Sequence, residues 1–309
     1  MKRIPIWIDT DPGVDDAVAL LTAHRLDSLE IIGVSTVAGN VPLVRTTHNA
    51  LALRAFMGAD FPVYCGADKP WLREYRNAEF FHGADGLGGA TLPEPTIAAD
   101  ETAAWDALYE AAMRYAGELE VVTLGPMTNL AAAFCKYPQL PKLLKRVLFM
   151  GGAAVGGNCT PCAEYNIFTD PEAAQLVLRS GVPLVMCGLD VTEQAFLTEA
   201  EFASLAELPG ATAQFVHAAG ADLLRKNLAA GQGGWCLHDV CPILYAVQPS
   251  LFHGRKAGVF VETRAALTLG KTVADLCSDK KFDEQNVFVV LDIDRDAFVR
   301  AVFTVLQAV

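Results

Sequence analysis

Residues 6–21 read IWIDTDPGVDDAVALL, and the interpretation of the rest of the chain turns on this stretch. An apolar, strand-like run ends in carboxylates: Asp9, Asp11, Asp15 and Asp16 fall within eight residues. Pro12-Gly13 makes a sharp turn, and Asp15-Asp16 then open an apolar helix, where the macrodipole favours negative charge. Asp9 and Asp11, two apart in an extended segment, share a face at the end of the strand. Capping of the helix explains one carboxylate or two, not four. Like charges held this close raise one another's pKa unless a cation neutralises them. Oxygen ligands without His or Cys point to a hard cation, Ca²⁺ or Mg²⁺.

Strand followed by helix recurs along the chain, the pattern of parallel βαβ units. Strands are expected at Ile4–Asp9, Glu30–Val37, Leu119–Leu124, Arg146–Met150, Pro183–Cys187 and Val287–Leu291. Helices are expected near Asp15–His24, Pro42–Met57, Thr102–Ala116, Met127–Phe134, Asp170–Arg179, Ala211–Ala230, Val240–Val247 and Asp294–Leu306, with an antiparallel pair near Gly258–Thr268. The fold class is α/β: an open, mostly parallel central sheet flanked by helices, with a small helical cap near the C-terminal part. No repeat or Pro/Gly/Ser-rich linker divides the chain, so residues 1–309 are expected to form a single domain. The loops after the strands, IDTDPG, TVAGN, TLGPMTN and MGGAAVGGN, are loaded with Gly, Asn and Asp. In an open parallel sheet such loops converge at the carboxyl ends of the strands, where ligands bind.

With 309 residues, 52% hydrophobic and 19% charged, the chain can bury a sizeable core. Its net charge of -12 argues against nucleic acid as a partner. The N-terminal apolar run is too short for a signal peptide, and no run is long enough to span a bilayer, so no membrane partner and a cytoplasmic location are expected. Eight cysteines in a chain of this length do not make a disulfide framework. Cys159 and Cys162 form a CxxC without a second ligand pair, and are read as reduced thiols.

Other motifs fail on spacing. Counted from Asp9, an EF-hand loop would place Gly13 at the fifth position instead of the sixth, and Leu20 where a Glu is required. LTLGKT has Ala265 where a P-loop needs its first Gly, and GGAAVGG is no GxGxxG. A Mg²⁺-dependent phosphatase with Asp9 as nucleophile fits Asp9-Thr10-Asp11, but leaves Asp15, Asp16 and the polar loops without a role.

DTDPGVDDAVAL at 9–20 resembles the N-terminal signature of the inosine-uridine nucleoside hydrolase family. VAGN at 37–40, FHGADGLGG at 81–89, TLGPMTNLA at 123–131, MGGAAVGGNCTPCAEYNIFTDPEAA at 150–174 and LHD at 237–239 also resemble family segments, in family order. The resemblance implies cleavage of the N-glycosidic bond of ribonucleosides to ribose and free base, with one Ca²⁺ in an open α/β fold. It implies Asp11, Asp16 and Asp239 as carboxylate ligands of the metal and the backbone carbonyl of Leu124 as another. Asp11 matches the general base acting on a metal-bound water. Asp15, Asn40, Glu164 and Asn166 match residues that hydrogen-bond the ribose hydroxyls, with Asn158 facing the sugar beside them. Asp9 is implied to be structural, behind the site. His238 matches a position for protonating the leaving base. His82 matches a base-side His but is equally read as a structural one.

A carboxylate-rich pocket suits this chemistry, because breaking the ribosyl–base bond builds positive charge on the sugar. The family resemblance also implies a homo-oligomer, dimer or tetramer. Many members have Pro directly after the Asp of LHD, whereas here Val240-Cys241 intervene before Pro242, which could shift the helix start and brings Cys241 near the site. The segment 215–235, where members differ in base recognition, offers Asp222, Arg225, Lys226 and Trp235 as base-side candidates, and leaves purine against pyrimidine open. A metal-dependent nucleoside-binding protein without catalysis is the non-enzyme alternative.

Overall fold

The structure is a computed structural model that describes residues 2–307. Its centre is β1 (Ile4–Thr10), apolar on both sides: Ile6 and Ile8 enter one hydrophobic core and Trp7 the other. The remaining strands are β2 (Leu29–Thr36), β3 (Val63–Cys65), β4 (Glu120–Thr123), β5 (Arg146–Met150), β6 (Leu184–Cys187), β7 (Phe196–Leu197), β8 (Trp235–Cys236), β9 (Phe252–Ala257), β10 (Val259–Val261), β11 (Thr272–Ala274) and β12 (Val287–Ile293). Eight of them form one sheet in the order β3-β2-β1-β4-β5-β6-β12-β9. Every neighbouring pair in it is parallel except β12 with β9.

Helices cover both faces. Val14–Arg25, Leu43–Met57, Ala211–Ala229, Val240–Val247 and Arg295–Gln307 pack on the Ile6/Ile8 side, while Ala104–Arg114, Thr128–Lys136 and Pro171–Leu178 pack on the Trp7 side. Burial on both faces is why the central strands are apolar runs instead of alternating ones. Trp7 shows how closely side chains pack across neighbouring strands of the sheet. Its indole stacks on Tyr64 and donates to Ser35 Oγ at 2.8 Å, and a Cβ on Gly33 in the neighbouring strand would lie 2.6 Å from its ring.

The strand order positions the site. From β1 the chain moves outward to β2 and β3, then returns to the other side of β1 at β4. The loops leaving β1 and β4 therefore part in opposite directions and open a crevice at the carboxyl edge, the usual ligand position in such sheets. The expected α/β sheet is the observed one.

Four strands were not expected: the edge strands β3 and β9 and the short pair β7–β8. The antiparallel pair near Gly258–Thr268 has its first strand at β10, but the partner is β11, beyond the expected span. The expected helix Asp170–Arg179 is preceded by a separate one, Tyr165–Thr169; Glu164 caps the first and Asp170 the second with side-chain carboxylates. After LHD the helix runs Val240–Val247, with Pro242 in its first turn, where its missing N–H has no helical partner to lose. Among the described residues no helix is long and apolar enough to cross a membrane.

Candidate active site

Asp11 follows the last residue of β1 and lies in a slot made by two glycines. A Cβ on Gly39 would fall 2.0 Å from Asp11 Oδ2, and one on Gly125 would fall 2.4 Å from Asp11 Oδ1. Only glycine lets the VAGN and TLGP loops close on this carboxylate. Asn40 N donates to Asp11 Oδ2 at 2.6 Å, while Asp11 Oδ1 is buried with no hydrogen-bond partner. Asp16, in the first turn of Val14–Arg25, accepts from Gly13 N and from Asn40 Nδ2, each at 3.0 Å, and from Thr10 Oγ1. Asp239 arrives from the far end of the chain, at the N-cap of Val240–Val247. Carboxylate oxygens of Asp15, Asp16 and Asp239 lie within 4.8 Å of one another.

The electrostatics follow from burial. Removal from water, then the Asp16 charge, pushes the Asp11 carboxyl well above the usual carboxylate range. Burial followed by the Asp15, Asp16 and Asp11 charges does the same to Asp239, and burial with Asp16 raises Asp15 to about 6. Asp15 Oδ1, like Asp11 Oδ1, has no hydrogen-bond partner. Orphaned buried oxygens in an all-oxygen donor set fit a hard cation. This trio contains Asp15 in the place given to Asp11 by the family resemblance, while Asp11 donates its backbone N–H to Asp16 Oδ1 at 3.3 Å. The Leu124 carbonyl, just past β4, accepts from Asn166 Nδ2 at 2.7 Å.

Above the carboxylates opens a cavity of about 560 Å³. Of the expected site residues, Asp15, Asn40, His82, Leu124, Asn158, Glu164, Asn166, His238 and Asp239 all line it. Asp11 and Asp16 lie beneath its floor, fully buried. Glu164 accepts from Asn166 N, Ile167 N and Gly152 N, yet burial still raises its carboxyl to about 7. Asn158 Oδ1 accepts from Tyr165 N at 2.9 Å. His238 Nδ1 lies 2.8 Å from Thr192 Oγ1, and burial lowers its pKa. His82 Nδ1 accepts from Val14 N at 3.2 Å, and burial lowers its pKa to about 4, so the ring is neutral and tied to a helix start. Asp9 faces away: its Oδ1 takes Asn129 Nδ2 at 2.7 Å and the Ser35 hydroxyl, beside Trp7.

The family model described as "Inosine-uridine preferring nucleoside hydrolase" matches residues 6–300. The chain belongs to this nucleoside hydrolase family. It is 42% identical over 308 residues to "Non-specific ribonucleoside hydrolase RihC" of Escherichia coli (strain SMS-3-5 / SECEC), covering 98% of each chain. Among solved structures it is similar to "Plant nucleoside hydrolase - PpNRh1 enzyme", with TM-score 0.91, 33% identity and 99% of each chain covered. It is also similar to "Purine-Preferring Ribonucleoside Hydrolase from Gardnerella vaginalis", with TM-score 0.92, 30% identity and 98% of each chain covered.

Several parts of this nucleoside hydrolase-family site escaped the sequence reading. Tyr75 and Tyr165 both donate their hydroxyls to Gly39 O, at 3.0 and 2.7 Å, and so lock the loop that holds Asp11. Tyr75 lies in no motif, and Tyr165, though inside the family-like segment 150–174, gives no sign in sequence that its hydroxyl reaches Gly39. Gly39 and Gly125 lay in the polar loops already noted, but only the fold shows what they make room for. On the remaining wall stand Phe80, Phe81, Asn227 and Gln232. Of the base-side candidates, Lys226 and Trp235 line the cavity; Asp222 and Arg225 do not, and pair with each other on the exposed side of their helix. Cys159 lines the cavity and Cys241 is buried in the core; all eight cysteines are free.

Proposed function

We propose that the chain is a Ca²⁺-dependent ribonucleoside hydrolase in which Asp11 is the general base. Ribonucleoside hydrolysis is the activity of its family; the metal and the residue roles are the proposal. The observation that carries it is the buried carboxylate cluster at the β1/β4 crevice, with Asp11 Oδ1 and Asp15 Oδ1 unpartnered below a cavity that Asn40, Asn158, Glu164 and Asn166 help to line. Asp11, Asp16, Asp239 and the Leu124 carbonyl would hold the ion, and the oxygen-only donors favour Ca²⁺. When bound, Ca²⁺ supplies Lewis acidity that makes a water more acidic and orients the sugar hydroxyls.

Asp11 takes the proton of the attacking water at Oδ1, since Asn40 N already occupies Oδ2. Asp15, Asn40, Asn158, Glu164 and Asn166 hydrogen-bond the ribose, and their fixed acceptors stabilise the positive charge that develops on it. Asn166 commits Nδ2 to Leu124 O and Met150 O, which leaves Oδ1 as its acceptor toward the sugar. With Thr192 Oγ1 engaging His238 Nδ1, Nε2 is the atom that would pass a proton to the departing base once the ring is protonated. His82 lies on the base side as a neutral, anchored ring. One domain spanning residues 1–309, a homo-oligomeric state (dimer or tetramer) and a cytoplasmic location belong to the same reading. The eight free thiols support the last of these.

Assay of a panel of nucleosides and 5′-nucleotides for free ribose and for phosphate tests the reading. Ribose release is expected. Phosphate release instead would support the phosphatase with Asp9 as nucleophile, and binding without turnover would support a non-catalytic receptor.

A further inference from the structure

The four-residue helix Glu79–His82 forms part of the cavity wall and has no buried residue of its own. A single helical turn is far below the length at which a helix holds itself together. Its position must come from ties to other elements. One tie is His82 Nδ1, which accepts from Val14 N. Another is Lys226, reaching across from the helix Ala211–Ala229 with a side chain 18% exposed.

Lys226 Nζ donates to the carbonyl of Phe81 at 3.0 Å and to that of Phe80, and pairs with Asp222, one turn back on its own helix, at 2.7 Å. It also lies over both rings, 5.1 Å from the Phe80 centroid and 5.9 Å from that of Phe81. An ammonium has three N–H donors. Two carbonyls and a carboxylate use all three, so Lys226 lines the cavity with no donor left for a ligand. The rings it holds are not satisfied in the same way. Phe80 and Phe81 stand edge to face with centroids 5.4 Å apart, 78% and 47% exposed, on the cavity wall. Exposed apolar faces beside a polar, sugar-type floor suit the flat, partly apolar half of a nucleoside, its base.

We propose that Lys226 is a positioning residue for the base half of the reaction, clamping the Phe80-Phe81 turn to the helix Ala211–Ala229 so that the two rings form a wall for the base. The proposal rests on the ribonucleoside hydrolase reading above. Glu164 and Asn166, assigned to the sugar, and Asp239, assigned to the metal, are held by other elements and do not depend on this clamp.

The test uses Lys226→Met, which keeps the unbranched apolar stem and removes the ammonium. Inosine and uridine serve as substrates with ribose release as the readout, and free ribose serves as a product inhibitor. Lys226→Met is expected to raise KM by about tenfold, with kcat within about threefold of wild type. Inhibition by free ribose should be unchanged. Lys226→Arg should recover most of the loss, since a guanidinium can serve the same carbonyls and carboxylate. Asp222→Asn, at a site 42% exposed, should raise KM by about two- to threefold. Wild-type KM in Lys226→Met overturns the proposal. So does weakening of ribose inhibition in step with KM, which would mean that the whole site has loosened. Should Lys226→Met fail to fold, an unchanged KM in Asp222→Asn overturns it alone. Wild-type protein that releases no ribose from either nucleoside overturns the hydrolase reading and this proposal together; active wild type beside an unaffected variant overturns this proposal only.

Discussion

Asp9 and Asp11 are two residues apart, and their surroundings give them different work. Asp9 points into the layer of Trp7, Ser35 and Asn129, where it joins β1, β2 and the helix Thr128–Lys136. Asp11 lies past the strand end against Asn40, Asp15, Asp16 and Asp239. Burial raises the Asp9 carboxyl to about 6, and its Oδ2 has no partner, so an Asn amide can stand in its place without losing the bonds made by Oδ1. Asp9→Asn should therefore retain measurable ribose release. Asp11→Ala should lose more than the ~10²–10⁴-fold usual for a proton-transfer group alone, because the cation site is disturbed as well. Steady-state ribose assays of the two folded variants check this. An inactive Asp9→Asn beside an active Asp11→Ala would reverse the assignment and revive the phosphatase.

His238→Ala should be uneven across substrates, since a base that leaves readily needs less help from a proton. Measured kcat/KM on a series of nucleosides with differing bases should show a loss that grows as the base becomes a poorer leaving group. A uniform loss would place His238 outside the departure step.

At the scale of elements, Glu164 is an N-cap that also faces the cavity, and its pKa makes it a source of pH dependence. A carboxyl raised from 4.5 to about 7 favours the folded state while protonated; that contribution is complete below about pH 4.5 and lost as pH rises through about 7. In chelator-treated protein the melting temperature should fall as pH rises across this window. Glu164→Gln cannot satisfy all three backbone donors and should be less stable at acid pH, yet its melting temperature should depend less on pH. Equal slopes for the two proteins, by calorimetry, would remove Glu164 from the account.

The same scale shows which elements the sequence made legible. Buried parallel strands such as β1, β4 and β5 announce themselves as short apolar runs, and the loops after them as Gly/Asn/Asp clusters. Edge strands do not. β9 reads FHGRKA, buried only at its ends and exposed at the four residues between, and β3 is three residues long with one buried. An edge with one paired side needs neither apolar face nor length, so its composition looks like loop. The site divides along similar lines. Carboxylates and amides clustered in a motif were legible, and nine of the expected residues do meet on one cavity. Lys226, Phe80, Tyr75 and Tyr165 were not assigned their contacts, because each acts through backbone carbonyls that only the fold brings near.

For the whole molecule, the strand order places the site. A chain that returns to the far side of its first strand opens a crevice where the β1 and β4 loops part, and four acidic side chains gather there out of water. Such a cluster is unfavourable on its own, as the raised carboxyls of Asp11, Asp15 and Asp239 show. It is explained by a cation that belongs to the working enzyme. The most direct measurement is ribose release from inosine and uridine by protein stripped with a strong chelator and then titrated with Ca²⁺. Loss of turnover on stripping, with recovery at one Ca²⁺ per chain and no recovery in Asp16→Ala, is the predicted result. Full turnover by protein shown by elemental analysis to hold no metal, or recovery by Zn²⁺ alone, would contradict the account.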